Sequence, residues 1–343
     1  PFLLLYFLGP KIANLVPGGA TLPQFIHIRY GRKAQIVVSL VAIIYMSAFL
    51  VAEFASINFL FPSIADVSGL RIMILVGVFT YAYLKKSGFK ASYITDKFQG
   101  IGIILLLIVL FSIWFSQNSF SEIVNYSKLG GLGTFETFSL KSALAVILAV
   151  TAAEIFSQGY WQRTFSAKKE KTIKKASVIS AIGAFLTILL IGVAGDVGAG
   201  KGLESPTLSF IGQLDLNLFS SVLLVSLCTL LVASSIDTLE NAISSTISLD
   251  LIGKGAKEAQ YITLAIITFA IFAAIYVTNI FSVFLVADLL ATCLVFPAFY
   301  KLKSKSKDHF LLVPFVFSLL LFSHSATSVP QSFLLNSSYL VTL

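Results

Sequence analysis

Six polar side chains, Ser234, Asp237, Thr238, Asn241, Ser245 and Ser248, recur at helical spacing in one stretch of this sequence. At about 100° per residue they share a single stripe, and the upstream turns, Val222–Ala233, are apolar. Hydroxyl and carboxylate oxygens stacked at i, i+3 and i+4 suit a hard monovalent cation, which prefers oxygen ligands. The alternative is helix–helix adhesion, because serine and threonine hydroxyls also join helices by hydrogen bonds in lipid. Asp237 favours the cation, since a charge at a bilayer centre costs about 2.5–3.5 kcal/mol on insertion scales and marks a functional position.

Two further constellations carry polar groups where they are costly. Glu154, Ser157, Gln158 and Trp161 fall at i, i+3, i+4 and i+7, with Gly159 among them to weaken the helix. Helices broken near the midplane build substrate sites in transporters. The other reading is a helix end anchored at the interface by Tyr160, Trp161 and Arg163. Asp96 follows Thr95 where a helix is expected to begin, and an acid in a first turn is favoured by the helix dipole, so capping competes with binding there. Glu53 reads as a lone acid reaching the headgroups. Gly195–Gly202 nearly spells a phosphate-binding loop but lacks the serine or threonine after Lys201, follows no strand and is set aside. Cys228 and Cys293 read as small packing residues, and the three histidines are scattered, so no metal cluster is expected.

These groups need a frame, and composition names it. Of 343 residues, 57% are hydrophobic and 12% charged, against about 25% charged in a soluble domain. A spanning helix needs about 20 apolar residues to cross about 30 Å of hydrocarbon. Such stretches predict about ten transmembrane helices, near 1–13, 34–61, 70–86, 93–116, 140–163, 176–196, 217–249, 259–281, 283–300 and 310–325. The fold class is therefore an all-α polytopic bundle, taken as one transmembrane domain over 1–343. Of the 24 basic residues, all but Arg71, Lys128, Lys141 and Lys201 fall in alternate loops. The positive-inside rule makes the loops around 14–33, 85–97, 164–175, 250–258 and 301–309 cytoplasmic. The net charge of +8 is thus a topology signal, and no nucleic-acid partner is expected. The chain starts without Met inside an apolar segment and ends on another, which predicts a fragment missing at least one leading helix.

Four segments together resemble the sodium:solute symporter family, which shares the inverted-repeat fold of the bacterial leucine transporter. Gly88-Phe89-Lys90-Ala91-Ser92-Tyr93-Ile94-Thr95-Asp96-Lys97-Phe98-Gln99-Gly100 is similar to the start of that family's fifth core helix. Gln158–Lys168 resembles the close of the sixth, and Ser234–Asp250 the eighth. Thr21-Leu22-Pro23-Gln24-Phe25 with Arg29-Tyr30-Gly31 resembles a conserved-type family loop. The resemblance implies core helices two to ten over roughly 1–300, with the first core helix absent and an extra helix at 310–325. It implies that Ser234 and Ser235 supply hydroxyl ligands to sodium, that Asp96, Asp237 and Thr238 serve a second cation site, and that Ser157 and Gln158 line the substrate cavity beside Glu154 and Trp161. The carboxylate at Asp237 departs from the family pattern, and either strengthens a second sodium site or marks a proton relay.

The expected function is sodium-coupled symport of a small polar organic solute by alternating access in the cell membrane, with a lean toward a urea-type neutral solute. A proton-coupled symporter and an uncoupled uniporter or channel are the alternatives. Sodium is the expected coupling ion, and no organic cofactor is implied. An enzyme is not expected, because no HExxH, GxSxG or paired-aspartate pattern occurs.

Overall fold

The computed structural model describes residues 1–65, 67–130, 137–203, 210–253, 256–299, 311 and 315–316. Eleven α-helices carry these residues: α1 (Phe2–Leu15), α2 (Leu22–Tyr30), α3 (Arg32–Ala65), α4 (Gly69–Gln117), α5 (Phe120–Gly130), α6 (Thr137–Ala153), α7 (Gln158–Ser166), α8 (Glu170–Gly200), α9 (Leu218–Thr246), α10 (Ala256–Ala274) and α11 (Ile280–Phe299). Short 3₁₀ turns stand at Glu154–Phe156 and Ile211–Gln213, and a π-helical segment, Ile247–Ile252, extends α9. No strand occurs among the described residues. Among the described residues four stretches are long and apolar enough to cross a bilayer, Arg32–Pro62, Phe89–Gln117, Glu170–Gly200 and Leu218–Ile252, and the chain is membrane-embedded. The expected count of about ten spans is not reached by this measure, and the expected helix at 310–325 lies outside the described residues apart from Leu311, Phe315 and Val316.

The centre of the bundle is α3, against which α2, α4, α9, α10 and α11 all pack. Half of its apolar window is buried, whereas only 6% of that of α8 is. α8 instead touches α1 and α5 and leaves a continuous apolar face outward, the pattern of a helix whose remaining solvent is lipid. Tyr45, Met46, Leu50, Phe54 and Phe61 on α3 are fully buried, so this helix supplies much of the apolar packing.

Several boundaries differ from the sequence reading. The helices expected at 70–86 and 93–116 are one continuous helix, α4, of 49 residues. Its lysine-rich middle contains no proline, and polar composition alone does not interrupt backbone hydrogen bonding. The stretch 14–33, read as a loop, contains α2, which begins with Pro23 in its first turn, a position where the missing N–H costs nothing. The stretch 116–139, also read as loop, contains α5.

The start of α5 is a capping box. The Glu122 carboxylate accepts from the Ser119 amide at 2.8 Å and from its hydroxyl at 2.6 Å, while the Glu122 amide donates back to Ser119 Oγ at 3.3 Å. At its other end α5 meets α8 backbone to backbone: a Cβ on Gly200 would fall 2.0 Å from the Tyr126 carbonyl oxygen, so only glycine permits this approach.

The capping bonds hold the Glu122 carboxyl below the ordinary carboxylate range, first through the Ser119 hydroxyl and then its amide. A folded-state pKa below the unfolded value contributes stability above the unfolded pKa and loses it as pH falls through the lowered one. The first turn of α5 is therefore expected to fray on acidification through that lowered pKa. NMR titration of Glu122 checks this: its midpoint should lie below that of a glutamate in a peptide, and Ser119→Ala, which keeps the amide bond, should raise it part of the way back.

Candidate functional site

Three polar layers thread the bundle along α9, each tying it to a different neighbour. In the upper layer Asp237 is buried and faces α4. Its carboxylate accepts from Tyr83 Oη at 2.5 Å, Ser92 Oγ at 3.0 Å and Thr95 Oγ1 at 3.0 Å, with Thr238 Oγ1 at 3.4 Å. A carboxylate offers about four lone-pair positions, and four hydroxyls meet them. The i, i+3, i+4 rhythm on α4 (Ser92, Thr95) matches that of α9, which explains how a helix pair can surround one acid. An apolar groove of about 810 Å³ beside α4 and α9 has Tyr83 and Thr95 in its wall, so two of the hydroxyls on Asp237 are also its cover.

Next to it, Asp96 meets α7. Arg163 Nη2 donates to Asp96 Oδ2 at 2.5 Å and to Thr238 Oγ1 at 3.0 Å, and Nη1 donates to the Gly159 carbonyl at 3.0 Å. Asp96 sits in the middle of α4 and is not a first-turn residue, which removes the capping role considered for it. Arg163, read as an interfacial anchor, instead bridges α4, α7 and α9. Ser234 Oγ reaches Asp96 Oδ1 at 3.5 Å, whereas the Ser235 hydroxyl faces Glu53 on α3. The two neighbouring serines thus turn to two different acids, and Glu53 belongs to the bundle interior instead of the headgroups.

The second layer surrounds the break between α6 and α7. The helix expected over 140–163 stops at Ala153, passes through Glu154–Phe156 in 3₁₀ form and turns extended at Ser157 (φ −66°, ψ 108°). Gly159 lies past this break, inside α7, and serves close approach: a Cβ there would fall 2.7 Å from Thr238 Cγ2. Gln158 is fully buried, with Nε2 donating to the Phe156 carbonyl at 2.7 Å and Oε1 accepting from the Leu22 amide at 2.8 Å. Trp161 is likewise buried and donates to the Ile155 carbonyl at 2.6 Å. Both side chains satisfy backbone groups that the break frees. Ser157 makes no side-chain cap bond. Glu154 points elsewhere, toward the hydroxyls of Tyr45 on α3 and Tyr160 on α7, with Asp288 of α11 close enough to act on it electrostatically. Asp288 is 2% exposed, and its Oδ1 is buried without a hydrogen-bond partner.

The third layer, on the lysine-rich side, is a latch. Asp250, fully buried in the π-helical segment, accepts from Thr21 Oγ1 at 2.9 Å and Gln35 Nε2 at 3.1 Å. Arg32 donates to Gln35 Oε1 at 2.7 Å and to the Leu251 carbonyl at 3.1 Å. Thr21 spends its hydroxyl on Asp250 and makes no cap bond to α2.

No group of His, Cys, Asp and Glu suited to a multivalent metal occurs among the described residues. The structure brings Asp96, Ser234, Asp237 and Thr238 together around Arg163, and places Glu154 apart with Asp288. Tyr45, Tyr83, Ser92 and Asp288 were missed as members of these networks. The available signal was an ionisable residue inside an otherwise apolar helix, which Asp288 is.

No family model matches the chain. It is 28% identical over 302 residues to the spermidine transporter of Candida albicans, an alignment covering 84% of this chain and 56% of that protein. The chain thus spans about half the length of the curated relative it matches. This likeness, with the apolar helices, supports a role in membrane transport.

Gly159→Ala should push α7 from α9 and stretch the Arg163–Thr238 bond. The expected loss is about 1–3 kcal/mol, typical of overpacking, read as a lower melting temperature of the detergent-solubilised protein.

Proposed function

We propose that this chain forms part of a secondary active transporter that couples a monovalent cation to a small polar solute by alternating access. The carrying observation is the sign of the interior. Among the described residues, the buried charged side chains are Asp237, Glu240, Asp250 and Asp288 against Arg29 alone, although the chain as a whole is net positive. Buried carboxylates without cationic partners are costly, and a passing cation supplies what the protein withholds.

Ser234 and Asp96 are proposed to hold the coupling ion, sodium or a proton, once Arg163 releases Asp96, with Ser235 beside Glu53 and Asp237 with Thr238 as neighbouring cation-binding groups. Entry from outside is favoured by about 2.3 kcal/mol per charge per 100 mV. Preferential binding to the outward-open state shifts the population toward closure. The lysine-rich loops face the cytoplasm on this reading.

For the solute, an organic amine is the proposed class, supported by the relative's spermidine and by two carboxylates near tyrosine rings. Glu154 and Asp288 offer two carboxylates beside two tyrosine rings, a setting that attracts ammonium groups both by charge and by the ring faces. The urea-type neutral solute expected from sequence has less support, because Gln158 and Trp161 already commit their polar groups to the backbone.

The test is uptake by the full-length native protein in liposomes, with labelled spermidine and urea as probes, at zero membrane potential. Spermidine uptake is expected to exceed urea uptake and to rise with an inward sodium gradient. Glu154→Gln or Asp288→Asn should each lower spermidine uptake at least about tenfold, the equivalent of about 1.4 kcal/mol. Ser234→Ala with Ser235→Ala should abolish the sodium stimulation. Preference for urea would remove the amine reading. Stimulation by external acid alone would transfer coupling to protons, and indifference to both gradients would leave a uniporter or channel.

A further inference from the structure

One turn beyond Asp237, Glu240 occupies a place that neither the upper layer nor the latch uses. It is 1% exposed on α9, and its Oε1 accepts from Thr80 Oγ1 at 2.9 Å. Its Oε2 is buried without a protein partner. A cavity of about 200 Å³ opens beside it, lined on the oxygen-bearing side by Glu240, Asn241, Ser244, Ser245, Ser248 and Thr263. Three of these, Ser244, Ser245 and Ser248, continue the α9 stripe toward the lysine-rich side. Asn241 gives its amide N–H to Gln162 Oε1 at 2.7 Å, and Thr263 gives its hydroxyl proton to the Ala259 carbonyl at 2.8 Å. One Asn241 N–H and the Thr263 hydroxyl proton are thus turned away from the cavity, while the Ser244, Ser245 and Ser248 hydroxyls line it and offer it acceptor oxygens.

A buried carboxylate oxygen without a donor, on a residue that lines an oxygen-rich space, is unfavourable until a donor or a positive charge comes to it. The space exceeds a bare ion, so the occupant keeps part of its water shell. Lys85 also lines the cavity; its ammonium lies 6.0 Å from the Tyr81 ring and its carbonyl accepts from Gln260 at 3.3 Å. That ammonium opposes long residence of a second cation and favours its departure.

We propose that the Glu240 cavity is a second cation site, distinct from the Ser234–Asp96 cluster, which holds a partly hydrated sodium ion on its way out of the protein. It rests on the transport reading only for its place in the route. Occupancy of the cavity follows from its own geometry, whatever solute is carried.

The test is infrared difference spectroscopy on the purified full-length protein, exchanging choline chloride for sodium chloride. A sodium-induced shift of a carboxylate stretching band that disappears in Glu240→Gln and persists in Ser234→Ala is the expected result. Ser244→Ala with Ser245→Ala, which leaves the carboxylate in place, should raise the sodium concentration for half of that shift by about tenfold, as loss of supporting ligands does. It keeps the test decisive should Glu240→Gln fail to fold. No sodium-dependent band, a band unchanged by both cavity variants, or a protonated-acid band that responds to pH and not to sodium would each overturn the proposal. A sodium band assigned to Glu240 in a protein that takes up no solute would uphold the site while removing the transport reading.

Discussion

Carboxylates held in a dry interior with too few cations set the terms for everything else in this molecule. Taking an ion out of water costs several kcal/mol even after relaxation, so each acid needs its own settlement. Asp237 is met by hydroxyls from α4 and α9, and Asp250 by Thr21 and Gln35. Glu240 has one donor, and Asp288 keeps a buried oxygen with none. Asp250 takes both donors on Oδ1 and leaves Oδ2 without one, so of these four acids Asp237 alone has donors at both oxygens.

The same constraint explains why α9 is the hub. Its polar stripe does not line one cavity; successive turns face successive neighbours. Asp237 meets α4, Asn241 meets α7, and Asp250, carried on the π-helical extension, meets α2 and α3. Hydroxyls of α4, Ser92 and Thr95, join the two helices through Asp237.

The sequence conveyed the all-helical, membrane-embedded character directly, because apolar runs of spanning length need no tertiary information. The polar stripe on α9 was legible for the same reason, being a periodicity within one helix. Partners were not. Arg163 and Asp96 are 67 residues apart, Thr95 and Asp237 are 142 apart, and Thr21 and Asp250 are 229 apart. Nothing local distinguishes an arginine that anchors at headgroups from one that bridges three helices. The break at Glu154–Ser157 also lacked a local sign: it contains neither glycine nor proline, and Gly159, which drew attention to the region, packs inside α7. The fusion of two expected spans into α4 has a similar origin, since polarity was read as interruption where the backbone simply continued.

The break has a mechanical meaning. α6, on one side of it, packs against α11, whereas α7, on the other, packs against α9 and α1. What would be one rod in an unbroken helix is two segments with different neighbours, joined through the short run from Glu154 to Ser157. Glu154 sits in that joint, Asp288 on α11 and Tyr160 on α7. Any molecule gripped by all three side chains would splint the joint, fixing the angle between α6 and α7 for as long as it stayed.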